Sequence, residues 1–383
     1  RDDGGGFHPA ISTHTPAYYS LLAPAYLLTR GDSVFSQLFA MRLTSAMMGA
    51  LIAILAMLTV GELLSRRRSL AVAAGLLVAF EPMFGFISGA VNNDNGVNTA
   101  AALLVYLIVR VLRRGLSPRL AVGIGATLVV APLLKGTGYE LYPPAILALA
   151  FVMLRRHGRS DWIALGILAA TFVILQLGWS EVSTTLHRTV FTTPGGGTPG
   201  VSFEAFHHPK RYLSWLIRFM LPFSPSFINH DWTIVHWPFF NVYIERGFAS
   251  FGWYATYFPK WVYLVIVAAL ACALGLGVRV LWLRREVVRR YWPEITFLVL
   301  VPVVVICSVE AAFQPALSIL PINGTPEEGR YAFPAITAVA ALAIGACYGL
   351  GRRRALPLAT GAVAGLIGLT LSSQLLTLSA FYT

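Results

Sequence analysis

Residues Ala50–Phe80 read ALIAILAMLTVGELLSRRRSLAVAAGLLVAF. Two apolar runs meet at a knot of three arginines, Arg66, Arg67 and Arg68. A helix needs about 20 apolar residues to cross a hydrocarbon core of about 30 Å. Basic residues between two such runs mark a loop kept on the cytoplasmic side. The same unit recurs along the chain, with further knots at Arg110–Arg119, Arg155–Arg159, Arg279–Arg290 and Arg352–Arg354. These five knots hold 18 of the 29 lysines and arginines, so the net charge of +12 reports membrane orientation and not nucleic-acid binding.

Composition agrees. Of the 383 residues, 56% are hydrophobic and 12% charged, about half the charged share of a soluble domain. Short alternating segments, the mark of a transmembrane β-barrel, do not occur. The expected fold is an all-α polytopic membrane protein with about ten spans: 40–63, 69–90, 97–112, 119–136, 139–154, 161–180, 260–282, 293–313, 331–350 and 355–377. An outside N-terminus puts every arginine knot in the cytoplasm.

Four units follow from this segmentation: an extracytoplasmic loop with a juxtamembrane helix (1–39), a six-span bundle (40–180), an aromatic-rich extracytoplasmic segment (181–259) and a four-span bundle (260–383). Seven of the eight histidines, all but His157, fall on the outer face, so the chemistry is expected there. Residues 203–263 hold 20 of the 47 aromatics, which suits a stretch in the headgroup zone. Pro16–Leu28 and Lys210–Phe223 read as interfacial helices. Thr193–Gly200, TPGGGTPG, reads as a loop, because nothing around it has the strand-to-helix context of a phosphate cradle. Cys272, Cys307 and Cys347 lie inside apolar runs and read as small core residues.

The outer face carries the candidates. VNNDN, Val91–Asn95, places Asn92, Asn93, Asp94 and Asn95 at one hairpin, with Asn98 just beyond. Asp94 reads either as a turn acid or as a site carboxylate, since carboxamides around it suit a sugar, a phosphate or a hydrated cation. Lys135 and Glu140 bracket the hairpin LLKGTGYELYPP; Lys135 either snorkels and pairs with Glu140 or holds an anion. Arg330 and Tyr331 follow Glu327 and Glu328; the arginine either pairs with these acids or clamps a phosphate. Glu81 sits inside a span beside Pro82, as a structural or a catalytic acid. Asn323-Gly324-Thr325 matches a glycosylation sequon, a weak signal. His207, His208, His230, Asp231 and His236 lack the i, i+4 spacing of a metalloprotease helix, so a metal there is not expected.

Taken together, several stretches resemble the GT-C superfamily of integral-membrane glycosyltransferases. His14-Thr15-Pro16-Ala17-Tyr18-Tyr19 is similar to that superfamily's His-Pro-Pro-Leu-Tyr-Tyr segment. Val91–Asp94 resembles its Asn-Asp outer hairpin, and Leu133–Pro144 its lysine-containing outer turn. Ser250–Tyr263 and Glu328–Pro334 resemble a bacterial branch of predicted membrane proteins within it. The resemblance implies a GT-C-like fold and inverting transfer of a sugar from a polyprenyl-phosphate donor to a glycan, lipid or protein acceptor of the cell envelope. It also implies a bacterial plasma-membrane protein with its active face extracytoplasmic.

On that reading, Asp94 or the N-terminal Asp2 and Asp3 serve as catalytic carboxylates. His14, Tyr18, Asn92, Asn93, Asn95, Lys135, Glu140, Arg330 and Tyr331 contact substrate, with Lys210 and Arg211 as further cations. Mg²⁺ or Mn²⁺ at Asp94 is a possible cofactor. GT-C enzymes carry an acid in the first outer loop after their first span. That acid is expected upstream of Arg1, with an eleventh span. Thr15 departs from the pattern by replacing its first proline. Two other classes stay open: a transporter or flippase for a lipid-linked or anionic solute, and a non-catalytic membrane scaffold subunit.

Overall fold

The computed structural model describes residues 16–64, 67–156, 158–185, 208–221, 237–251, 256–317 and 328–382, which are almost entirely helical. Thirteen helices organise them: α1 (Ala17–Leu28), α2 (Val34–Leu63), α3 (Arg68–Ala79), α4 (Pro82–Ser88), α5 (Asp94–Arg114), α6 (Pro118–Leu134), α7 (Tyr142–Arg156), α8 (Arg159–Thr185), α9 (Pro209–Met220), α10 (Lys260–Leu283), α11 (Arg285–Leu317), α12 (Ile336–Ala346) and α13 (Ala355–Tyr382). Tight 3₁₀ turns precede α7 (Gly136–Leu141) and α12 (Gly329–Ala335). A π-helical turn covers Phe240–Glu245, and a two-residue hairpin pairs β1 (Ser250–Phe251) with antiparallel β2 (Thr256–Tyr257).

Among the described residues, eight helices are long and apolar enough to cross a membrane. The pair α3 and α4 qualifies only jointly and is bent by 68°, and α6 is a shorter apolar helix. All ten expected spans thus coincide with apolar helices, but the run 69–90 is not one straight span. The break has local causes. Pro82 cannot continue a helix, and it suits the first turn of a new one. Glu81 caps that new helix by accepting the Phe84 backbone N–H. The carbonyl of Phe80, left over at the end of α3, accepts from the Thr370 hydroxyl at 2.6 Å. Thr370→Val keeps the shape and removes the donor. It should lower stability by about 1 kcal/mol, read as an earlier denaturation midpoint of the purified protein in detergent.

Other boundaries also move. The first long helix starts at Val34, six residues before the expected span, because Ser33 caps it through the Ser36 N–H at 3.2 Å. Pro16–Leu28 and Lys210–Phe223 contain the expected short helices, α1 and α9. The Asn-rich hairpin is shorter than expected: α5 begins at Asp94, so Asp94, Asn95 and Asn98 belong to a helix.

Helix α5 forms the centre, packed by α2, α6, α7, α11 and α12. Its buried face carries Val97, Ala100, Ala101, Leu104, Val105 and Ile108. By contrast, Leu264, Val265, Leu274 and Val278 of α10 point outward. An apolar exterior around a core rich in small residues is what a bundle surrounded by lipid needs.

One end of this bundle is basic. Arg114 at the end of α5 grips Glu62 at the end of α2 with two bonds, 2.6 and 2.7 Å. Arg113 reaches Glu294 near the start of α11 at 3.6 Å. Arg156, ending α7, donates to the Arg114 carbonyl at 3.0 Å. Three arginine-bearing segments therefore converge at the same end. With 21 residues at about 1.5 Å each, α5 carries Asp94 about 30 Å away, to the opposite end.

Candidate functional site

The first turn of α5, the end of α6 and the turn before α12 meet at Asp94. The asparagines build the platform. Asn92 Oδ1 accepts the Asp94 N–H at 2.9 Å, a side-chain turn that starts the helix. Asp94 then sits among the free N–H groups of the first turn, where negative charge is favoured. Asn95 turns inward, and its Nδ2 donates to the carbonyls of Ile87 at 2.9 Å and Ala90 at 3.0 Å. Asn92 and Asn95 thus hold the hairpin together.

Tyr18 braces the platform from behind. Its hydroxyl accepts the Asn92 N–H at 3.0 Å and lies 2.7 Å from Ser45 Oγ. Ser45 in turn donates to the Met41 carbonyl at 3.3 Å, so the chain of donors runs from Asn92 through Tyr18 to α2. Burial pushes the Tyr18 phenol above its ordinary pKa. Its hydroxyl is already engaged by Asn92 and Ser45, which suits bracing more than substrate contact.

Lys135 ends α6 with extended backbone. Its carbonyl accepts the Gly138 N–H at 2.9 Å, and Gly138 lies directly on the Ala131–Pro132 backbone, where a Cβ has no room. The turn aims Lys135 Nζ at Asp94 Oδ1, and the two form an ion pair. Lys135 therefore pairs with Asp94, not with Glu140. The Tyr331 ring lies 4.3 Å from the ammonium, a cation–π contact. Arg330 Nε stands 3.4 Å from Asp94 Oδ2 and also pairs with Glu328.

Two cations and two carboxylates from three distant segments are thus drawn together, all largely out of solvent. The side chains of Lys135 and Arg330 are 14% exposed and that of Asp94 4%. Withdrawing ions from water costs several kcal/mol each, so evolution has cheaper ways to join three helices. Ionisable groups within a helical membrane bundle are by default functional.

Of the remaining sequence candidates, Asn93 is buried beside Asp94, and its Nδ2 has no hydrogen-bond partner. Glu140 follows Lys135 in the 3₁₀ turn, with Oε2 buried and likewise unpartnered. Glu81 stands apart, at the α3–α4 break. Asp2, Asp3, His14, His207, His230, Asp231, His236, Asn323 and Glu327 lie outside the described residues, as does Thr193–Gly200. Lys210 is exposed on α9. Nothing is described of the Arg211 side chain. Asp94 fits a divalent cation poorly, since each of its oxygens faces a protein cation. Among the described residues, no group of three or more His, Cys, Asp or Glu is placed to hold a metal ion.

A family model described as "Predicted membrane protein (DUF2142)" matches residues 4–339. The chain belongs to the DUF2142 family. No match emerged among curated proteins or among solved structures. The matched stretch of this DUF2142 protein holds every member of the ion cluster, and α13 lies beyond it. With its apolar helices, it is an integral membrane protein.

A further buried acid in the DUF2142 chain escaped the sequence reading. Glu310 on α11 is fully buried and accepts from the Tyr243 hydroxyl at 2.8 Å. Its signal was an acid inside an apolar run, the same signal that marked Glu81. The Tyr243 turn touches the ion cluster's support: Val242 and Gly247 press on Gly329, next to Arg330. Tyr212 of α9 donates to the Cys307 carbonyl at 2.5 Å, which docks the amphipathic helix on α11.

Proposed function

We propose that this protein is an inverting membrane glycosyltransferase. It moves a sugar from a polyprenyl-phosphate donor to an acceptor on the extracytoplasmic face of a bacterial membrane. The observation that carries this reading is the convergence of Lys135 and Arg330 on Asp94, at the end of the bundle opposite Arg113, Arg114 and Arg156. The GT-C resemblance supports it from the sequence.

The chemistry asks for such a pair. As the bond from the sugar's anomeric carbon to the phosphate oxygen breaks, charge gathers on the leaving lipid phosphate. Fixed cations in a water-poor site stabilise that charge without reorganising. Lys135 supplies a compact charge and Arg330 a planar fork suited to phosphate oxygens. Asp94, engaged by both, holds them in place. The acceptor hydroxyl attacks from the opposite face and yields its proton to a carboxylate. Asp2 and Asp3 are the sequence's candidates for that role beside Asp94. The lipid tail would lie along the apolar helices.

Lys135→Ala and Arg330→Ala, each reconstituted in vesicles with a prenyl-phosphoryl sugar, should transfer at least about tenfold more slowly than the parent, since one charge-assisted contact contributes about 1.5–3 kcal/mol. Parental rates in both would sink the reading.

The broken span favours a second reading, transport of a lipid-linked solute. Discontinuous helices with a polar group at the break are a transporter device, and Glu81 Oε1 is buried there without a hydrogen-bond partner. Vesicles that move a labelled prenyl-phosphoryl sugar between leaflets, with no transfer to acceptor, would favour it.

A further inference from the structure

The asparagines around Asp94 do not all do the same work. Asn92 and Asn95 spend their side chains on the backbone of the hairpin. Asn98 does not. It is 1% exposed, and neither its Oδ1 nor its Nδ2 has a hydrogen-bond partner. A buried carboxamide with both ends unanswered is strongly unfavourable, and native chains place such groups where a ligand or an ordered water answers them.

Its position says which. Asn98 follows Asp94 by four residues, so it lies on the same face of α5, about 6 Å deeper. Above it, at Asp94, are the two cations. Beside α5 packs α12, whose fully buried Thr337 also has an unanswered hydroxyl. Charged groups thus lie at the Asp94 end of α5 and neutral donor-acceptor groups deeper in the bundle. A carboxamide offers one donor side and one acceptor side, which matches a hydroxyl that must both give and take a hydrogen bond. A phosphate would use only its donor side and an ammonium only its acceptor side, leaving the other unanswered.

We propose that Asn98 receives a hydroxyl of the donor's sugar, so that the transferred sugar is bound below its own phosphate. This rests on the glycosyltransferase reading and adds the sugar subsite to it.

The test measures binding rather than turnover. The purified full-length protein in detergent is melted with a short-chain prenyl phosphate, and with the same lipid phosphate carrying mannose or arabinofuranose. The parent should gain more stability from a sugar-bearing lipid than from the bare phosphate. Asn98→Leu, close in size and without the unanswered amide, should melt no earlier than the parent and should respond equally to all three lipids. Asn98→Ala serves the same comparison if the leucine does not fit.

Three results overturn the assignment, and they are distinguishable. No response of the parent to any of the lipids ends the donor reading and this subsite with it. A parent that responds to the phosphate but gains nothing from either sugar ends the subsite alone. So does a variant that keeps the parent's sugar-dependent gain, which would leave Asn98 to an ordered water.

Discussion

Asp94→Ala should lose about 3–5 kcal/mol of stability and show no measurable sugar transfer. The reason is asymmetry. Replacing a whole buried ion cluster with apolar groups can be harmless, but deleting one member strands the others. Without Asp94, Lys135 keeps the Tyr331 ring but loses its ion pair, since Glu140 acts on it only at longer range. Arg330 keeps Glu328. The uncompensated charge is therefore mainly that of Lys135, whose side chain is 14% exposed. Two controls follow. Asp94→Asn retains the shape and some hydrogen bonding, so it should fall between parent and alanine in stability. Lys135→Met added to Asp94→Ala removes the stranded charge and should recover part of the loss, while transfer stays absent. Denaturant melts in detergent, paired with the vesicle assay, separate the two effects. An Asp94→Ala protein as stable as the parent would show that Asp94 does not hold Lys135.

The architecture was legible because a membrane asks few questions of a sequence. Hydropathy located the apolar helices, and two of the five arginine knots did gather: Arg113, Arg114 and Arg156 meet at one end. Residue type and sidedness were also enough to assemble Asp94, Lys135, Arg330 and Tyr331 as candidates. What they could not supply was pairing. Lys135 had Glu140 five residues away and chose Asp94, 41 residues back. That choice depends on how α6 ends and on Gly138 lying against Ala131, a three-dimensional fact. The division among the asparagines was hidden for the same reason, since Asn95 and Asn98 differ only in which carbonyls lie within reach. The bend at Pro82 had a visible cause, yet hydropathy runs straight through it. Glu310 showed as an acid inside an apolar run; what stayed hidden was its partner, Tyr243, 67 residues away.

The least obvious of these contacts predicts the second large effect. Gly329→Ala should either prevent folding or lower stability by about 3 kcal/mol or more, the upper range for overpacking. A Cβ at this position would meet the Val242 carbonyl oxygen, with Gly247 Cα at 2.5 Å and Gly247 N at 2.6 Å. All three are backbone atoms, so no side chain can swing aside. Relief requires the Gly329–Ala335 turn to back away from the Phe240–Glu245 turn. Arg330 is the next residue, and its guanidinium reaches Asp94 from that turn. A shift of 1 Å at a positioned group can reduce a rate about 100-fold, so a folded Gly329→Ala protein should transfer sugar far more slowly than its stability loss explains. Gly345→Ala supplies the comparison. Gly345 lies on α12 with open space where its Cβ would go, and alanine favours a helix interior over glycine by about 0.5–1 kcal/mol. Melting both variants beside the parent reads the difference directly: Gly345→Ala should match or exceed the parent, and Gly329→Ala should fall well below it. Equal midpoints would mean that the two turns are not packed backbone to backbone, and that Arg330 is held in place by its ion pairs alone.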